Sequence, residues 1–165
     1  VAGNDNNRAI FGAVAYVNGP LKVAATYDRS KEQSHEGFDH EAASEWLLSG
    51  GYDFGVVKVG AGYDKTKFND DQSRYVWRVA VGAPIGANDA VALSYSRSKW
   101  TDDAQDGSAK ASGWGVSYSH AMSKRTNVYA TYGNVSVDDE LQGTTGLDGA
   151  GSYESAFKVG MRHFF

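Results

Sequence analysis

Two histidines five residues apart, in His35-Glu36-Gly37-Phe38-Asp39-His40-Glu41, are the first group in the chain that could do chemistry. A zinc-binding helix needs its two histidines four apart, so that both fall on one face a turn from each other. The spacing here does not fit, and the neighbours are those of a polar loop, so the segment reads as solvated and no metal is expected. Asp102-Asp103-Ala104-Gln105-Asp106-Gly107 likewise lacks the acidic spacing of a calcium loop. Ser119-His120 and Met122-Ser123-Lys124 hold the atoms of a nucleophile and a base, but no third group is visible to orient them. Cysteine is absent altogether, which removes thiolate catalysis, disulfides and sulfur-ligated metals. Gly62-Tyr63-Asp64 and similar pieces lack the GxxxxGK[ST] pattern of a phosphate loop. The expectation is no enzyme and no cofactor.

What remains with chemical content is a set of cations at repeated positions. Arg29, Lys65 and Arg97 each stand two residues after a tyrosine, Tyr27, Tyr63 and Tyr95. A second set, Lys22, Lys58, Arg74, Arg78, Lys158 and Arg162, falls at alternate positions of apolar-polar segments, opposite their apolar residues. Acidic and basic residues are otherwise interspersed and the net charge is -4, so there is no basic footprint for nucleic acid.

Three segments superimpose: Leu21-Lys-Val-Ala-Ala-Thr-Tyr-Asp-Arg-Ser-Lys31, Val57-Lys-Val-Gly-Ala-Gly-Tyr-Asp-Lys-Thr-Lys67 and Val91-Ala-Leu-Ser-Tyr-Ser-Arg-Ser-Lys99. Thr126-Asn-Val-Tyr-Ala-Thr-Tyr132 follows more loosely. Their tyrosines, Tyr27, Tyr63, Tyr95 and Tyr132, are 36, 32 and 37 residues apart. Two strands of roughly ten residues plus one short and one longer connection fill such a repeat, which makes it a hairpin unit. Partner strands are expected at 8–17, 44–54, 73–83 and 112–121, with a last strand at 153–165, about nine in all. Short turns (18–20, 53–55, 84–89, 122–125) alternate with longer polar connections (31–43, 67–72, 101–111, 137–152).

Composition agrees. Twenty glycines, an aromatic share of 13% led by tyrosine, and only two prolines favour strands over helices. A mean hydropathy of -0.46 excludes a bundle of apolar spanning helices but leaves open a membrane barrel, whose strands are apolar on one face only. Short turns on one side and long loops on the other describe an all-β, antiparallel transmembrane β-barrel.

The alternation sorts the faces. Val57, Val59, Ala61 and Tyr63 oppose Lys58, Gly60, Gly62 and Asp64; Tyr75, Trp77, Val79 and Val81 oppose Arg74, Arg78 and Gly82; Phe157, Val159 and Met161 oppose Lys158 and Arg162. With the short turns in the periplasm, Tyr27, Trp46, Tyr63, Tyr75, Tyr95, Trp114, Tyr132 and Tyr153 all fall near the extracellular ends of their strands, as an aromatic girdle at headgroup height. Arg29, Lys65 and Arg97 then lie just above it, facing lipopolysaccharide, where a cation costs roughly 0–1 kcal/mol instead of about 2–4 at the bilayer midplane. Lys22, Lys58, Arg74, Arg78, Lys158 and Arg162 face the lumen, either as a basic wall that biases ions toward anions or paired with Asp28, Asp64 or Glu154.

At this point the residues resemble a known family. Tyr16-Val-Asn-Gly-Pro-Leu21, Trp46-Leu-Leu-Ser-Gly-Gly-Tyr-Asp-Phe-Gly55 and the ending Val159-Gly-Met-Arg-His-Phe-Phe165 are similar to Gram-negative trimeric porins of the neisserial and β-proteobacterial type, over nearly the whole chain but only the C-terminal half of a family member. Phe165, after apolar residues at alternate positions, is similar to the signal read by the outer-membrane assembly machinery. His163 departs from the usual aromatic or apolar residue, although this group often carries histidine there. The resemblance implies a sixteen-stranded barrel in the outer membrane, a homotrimer, and passive diffusion of small hydrophilic solutes and ions. Residues 1–165 are then one barrel domain that lacks its N-terminal strands. Strand parity leads to the same expectation, because nine strands ending at the periplasm would begin outside the cell and leave two unpaired edges in lipid. The alternatives are a complete small barrel of about eight strands serving as anchor or adhesin without conductance, and a soluble binding barrel with the apolar face inside.

Overall fold

A computed structural model describes residues 8–31, 43–68, 71–103, 107–139 and 153–164, with the backbone alone at 8, 31, 138, 139, 153 and 154. Nine strands make one sheet: β1 (Arg8–Asn18), β2 (Leu21–Lys31), β3 (Ala43–Asp53), β4 (Lys58–Lys67), β5 (Gln72–Ile85), β6 (Asp89–Asp102), β7 (Gly107–Ala121), β8 (Thr126–Asp139) and β9 (Tyr153–His163). Their order in space is their order in sequence, and every neighbouring pair is antiparallel.

The expected strands are all present, but the middle ones run longer. The connection expected over 101–111 is mostly ladder, because β6 continues to Asp102 and β7 starts at Gly107. Pro84 and Ile85 pair with Ala90 and Asp89, which tightens the third short turn. Polar residues near a loop look like loop in sequence, yet they extend a strand wherever the partner strand offers hydrogen bonds. At the short turns, Gly19 and Gly55 have φ of 55° and 84°, a region closed to most L side chains. The Gly55 amide also donates to Asp53 Oδ1 at 2.9 Å, fixing that corner.

Among the described residues no apolar side chain is buried; the buried residues are Asp64, Thr66 and Asp102. A soluble fold would show the reverse. Leu48, Leu93 and Val159 are 50%, 56% and 70% exposed, so the apolar face does not converge on a sealed centre. All three buried polar residues lie on the opposite face, which is therefore the more enclosed one.

The register fixes the inclination of the strands. Tyr27 faces Trp46 in one row. Tyr63 faces Trp77 one row, or two residues, nearer the short turns. Tyr95 faces Trp114 a row further on, and Tyr132 faces Phe157 a row beyond that. The aromatic pair thus steps by two residues for every two strands. With a rise of about 3.3 Å per residue and about 4.8 Å between strands, that slope is about 35°. Strands tilted by that angle, as in membrane barrels, bring the four pairs to one height. The short turns follow the same slope: Asn18 and Leu21 close the first hairpin in the row of Val59 and Val81, and Ile85 and Asp89 close the third two rows further along.

Candidate functional site

The outer face divides into bands along that slope. The aromatic belt contains three ring pairs: Trp46 and Tyr63 lie 5.3 Å apart, Trp77 and Tyr95 5.2 Å, Trp114 and Tyr132 5.6 Å. Trp77 and Phe157 complete it, and the sequence reading had not counted them. Tyr75 stands a row above the belt, where Lys65 Nζ lies 4.8 Å from its ring centroid, and the Tyr153 backbone is placed higher still, in the row of Trp77. Both residues share the face of the belt but not its height. From the belt down to the turns this face carries Val14, Leu48, Val59, Val79, Val81, Leu93, Val116, Val128 and Val159, among others, and no charged side chain among the described residues. Charge returns only beside the short turns, where Asp89 accepts a hydrogen bond from the Tyr118 hydroxyl and pairs with His120 Nδ1 at 2.8 Å. His120 and Ser119 point to opposite faces, so they form no nucleophile–base pair.

Arg29, Lys65 and Arg97 each stand one row above a belt tyrosine, in β2, β4 and β6, and so share a height on the outer face. Lys22, Lys58, Arg74, Arg78, Lys158 and Arg162 all stand on the other face. That face is not uniformly polar, a correction to the two-sided pattern expected. β1 is apolar on both sides, with Phe11 and Val17 70% and 66% exposed on the polar side. Trp100 and Tyr129 also stand there.

The six cations have different surroundings. Arg78 Nη2 is paired with Asp64, whose side chain is only 4% exposed. Lys58 Nζ meets Asp53 at 3.1 Å at the turn. Arg74 Nη2 donates to Thr66 Oγ1 at 3.4 Å, and that hydroxyl donates to Glu45 at 3.3 Å. Arg74 also lies 5.8 Å from the Phe68 ring, which stacks on Trp100 at 4.6 Å. Lys22, Lys158 and Arg162 belong to none of the ion pairs among the described residues. Along the slope, Asp28, Glu45 and Asp64 fall at or just above belt height; Lys22, Lys58 and Arg162 fall near the short turns; Arg78 and Lys158 fall between. Arg74 stands above the belt and Asp53 at the turns, so both signs occur at each end of this face.

One row of this face holds no side chain larger than serine across seven strands: Gly51, Gly60, Ala80, Ser94, Gly115, Gly133 and Ala156. A trough of about 720 Å³ beside Arg78 and Asp64 is floored by Gly60, Gly62, Ala80, Ser94 and Ser96. Small residues leave room for water, and hydroxyls give it partners.

Among the described residues no group of three or more His, Cys, Asp or Glu could hold a metal ion. The segment from His35 to Glu41, and Phe165 of the expected assembly signal, lie outside the described residues.

Comparison with known proteins agrees with this architecture. The family described as Gram-negative porin matches residues 1–140. An outer membrane porin of Bordetella pertussis is 30% identical, over 98% of this chain and 47% of that protein. Outer membrane porin protein 32 of Delftia acidovorans is 31% identical, over 96% of this chain and 46% of its own length. An anion-selective porin from Comamonas acidovorans, known from its structure, superposes with a TM-score of 0.79 at 29% identity, over 96% of this chain and 49% of that one. The chain spans about half the length of the curated relatives it matches. Its nine antiparallel strands, the apolar band bounded by rings and the extent of the family match lead to one conclusion: the chain belongs to the Gram-negative porin family of the outer membrane.

Proposed function

We propose that the chain forms the C-terminal half of a single porin barrel whose water-filled lumen passes small hydrophilic solutes and ions by diffusion, with a preference for anions. The observation that carries this reading is the separation of the two faces: an uncharged apolar band on one, and six cations beside a floor of glycine, alanine and serine on the other. Further strands would pair with β1 and β9, the two edges of the sheet, since each unsatisfied backbone group in lipid costs several kcal/mol. Membership of the porin family supports assembly of the whole protein as a homotrimer.

The anion preference is assigned to Lys22, Lys158 and Arg162. Asp64 offsets the charge of Arg78 and Asp53 that of Lys58, so those two contribute less field to a passing ion. The similarity to a porin named anion-selective supports the sign of this assignment. Reversal potentials of the whole porin in a planar bilayer under a KCl gradient test it. The native channel should favour chloride, and Lys158→Glu with Arg162→Glu should move the permeability ratio toward potassium by roughly two- to fivefold. A conducting channel with an unchanged ratio would remove these residues from selectivity. Absence of conductance in a folded protein would favour the anchor reading.

A further inference from the structure

Toward the long-loop end, the lumen face of β3 to β7 holds one row that runs Glu45, Thr66, Arg74, Trp100, Ala109 from strand to strand. Among the described residues the three buried ones surround it: Thr66 is in the row, Asp64 stands one row below it on β4, and Asp102 one row above it on β6. This corner is therefore the most enclosed part of the face. Trp100 stacks on Phe68 at 4.6 Å with 24° between the ring planes, and the indole is only partly covered. Beside it β7 offers Gly107, Ala109 and Ala111, none with a side chain larger than a methyl group. Arg74, directly opposite Trp100, is held by the Thr66 hydroxyl and not by a carboxylate. Glu45 and Arg74 also close the upper end of the trough of about 720 Å³, whose walls hold Asp64 and Arg78 further down.

We propose that this corner binds a neutral mono- or disaccharide, with the C–H face of a sugar ring on Trp100 and its hydroxyls on Arg74 and Glu45. The charges that line the trough cancel, two guanidiniums against two carboxylates, so an ion gains little net attraction there. A polyol gains at each of them, because a carboxylate accepts, a guanidinium donates and a serine hydroxyl does either. The indole supplies a flat apolar platform, and small-molecule sites combine such a platform with a few fixed polar groups. The volume of the trough falls within the range of about 300–1,000 Å³ usual for these sites. The small residues of β7 leave room for the ring at the indole's side. The site differs from Lys22, Lys158 and Arg162 in place and in chemistry. It rests on the channel reading for its place on the lumen wall, but binding is measurable without conductance.

The test is saturation-transfer NMR of maltose with the whole folded porin in a zwitterionic detergent, paired with maltose-induced loss of ion current in planar bilayers. The parent should bind maltose saturably at millimolar concentration and lose current along the same curve. Trp100→Ala should weaken binding roughly tenfold, and Trp100→Tyr should restore most of it, a rescue that depends on the ring face. Arg74→Lys keeps the charge but loses the planar fork, and should weaken binding about threefold. Mannitol, an open-chain polyol without a ring face, should bind far more weakly than maltose, and glucuronate no better than glucose. Binding by a porin that does not conduct would uphold the site and remove the channel reading alone. Equal binding by the parent and the folded Trp100→Ala variant, or no saturable binding by a conducting parent, would overturn the proposal. Glucuronate binding more tightly than glucose would overturn it too, by making the corner a site for anions.

Discussion

Arg78 and Asp64 form a pair whose members see different surroundings: the carboxylate is nearly enclosed by β3 to β5, whereas 54% of the arginine side chain is exposed. Half-exposed pairs contribute little to stability, so the pair acts mainly on the field in the lumen. Asp64→Asn should cost about 1 kcal/mol, the low end for a charge-assisted bond because much of the guanidinium keeps its water. It should also raise the chloride preference roughly twofold by freeing the charge of Arg78. Urea unfolding and reversal potentials read the two effects separately; a selectivity that moved toward potassium would contradict the assignment. Which face each cation takes was legible in the sequence, because Arg74, Arg78, Lys158 and Arg162 alternate with large apolar residues. Which cation is neutralised was not. Asp64 is fourteen residues from Arg78, and their meeting depends on a register between β4 and β5 that alternation alone leaves free.

At the scale of the strand, the slope of the aromatic pairs is the informative quantity. The tyrosine repeat made the hairpins readable, since Tyr27, Tyr63, Tyr95 and Tyr132 recur in the even strands. The odd strands were harder. Tyr75 and Trp77 share a face two residues apart, and only the register with Tyr63 shows that Trp77 belongs to the belt. The ends of β6 and β7 were missed for a related reason: Thr101, Ser108 and Lys110 are polar although they stand on the outer face, because they lie beyond the apolar band, where the apolar-polar alternation no longer holds. Below the belt, neighbouring residues of one strand should differ sharply in tolerance. Val81→Arg puts a cation in the middle of the apolar band and should cost about 2–4 kcal/mol. Ala80→Arg, one residue earlier and on the other face, should cost little because its guanidinium meets water. Urea unfolding of the whole porin from lipid vesicles measures both, and equal costs would mean that the band is not in hydrocarbon.

At the scale of the whole molecule, one sheet meets two solvents. Among the described residues, the absence of any buried apolar side chain, together with three buried polar ones, is the inversion expected of a water-lined barrel wall. It also explains why mean hydropathy concealed the membrane: glycine, serine and lysine on one face offset valine, leucine and tyrosine on the other. Because the chain contains no cysteine, the solvent at each face can be probed one residue at a time. Single cysteines at Leu93, Ser94, Val116 and Ser117 in the whole porin, reconstituted in vesicles and treated with a charged, membrane-impermeant maleimide, give the most direct measurement. Rapid labelling at positions 94 and 117, and protection at 93 and 116, is the expected result. Labelling at 93 and 116 with protection at 94 and 117 would reverse the two faces and contradict the account.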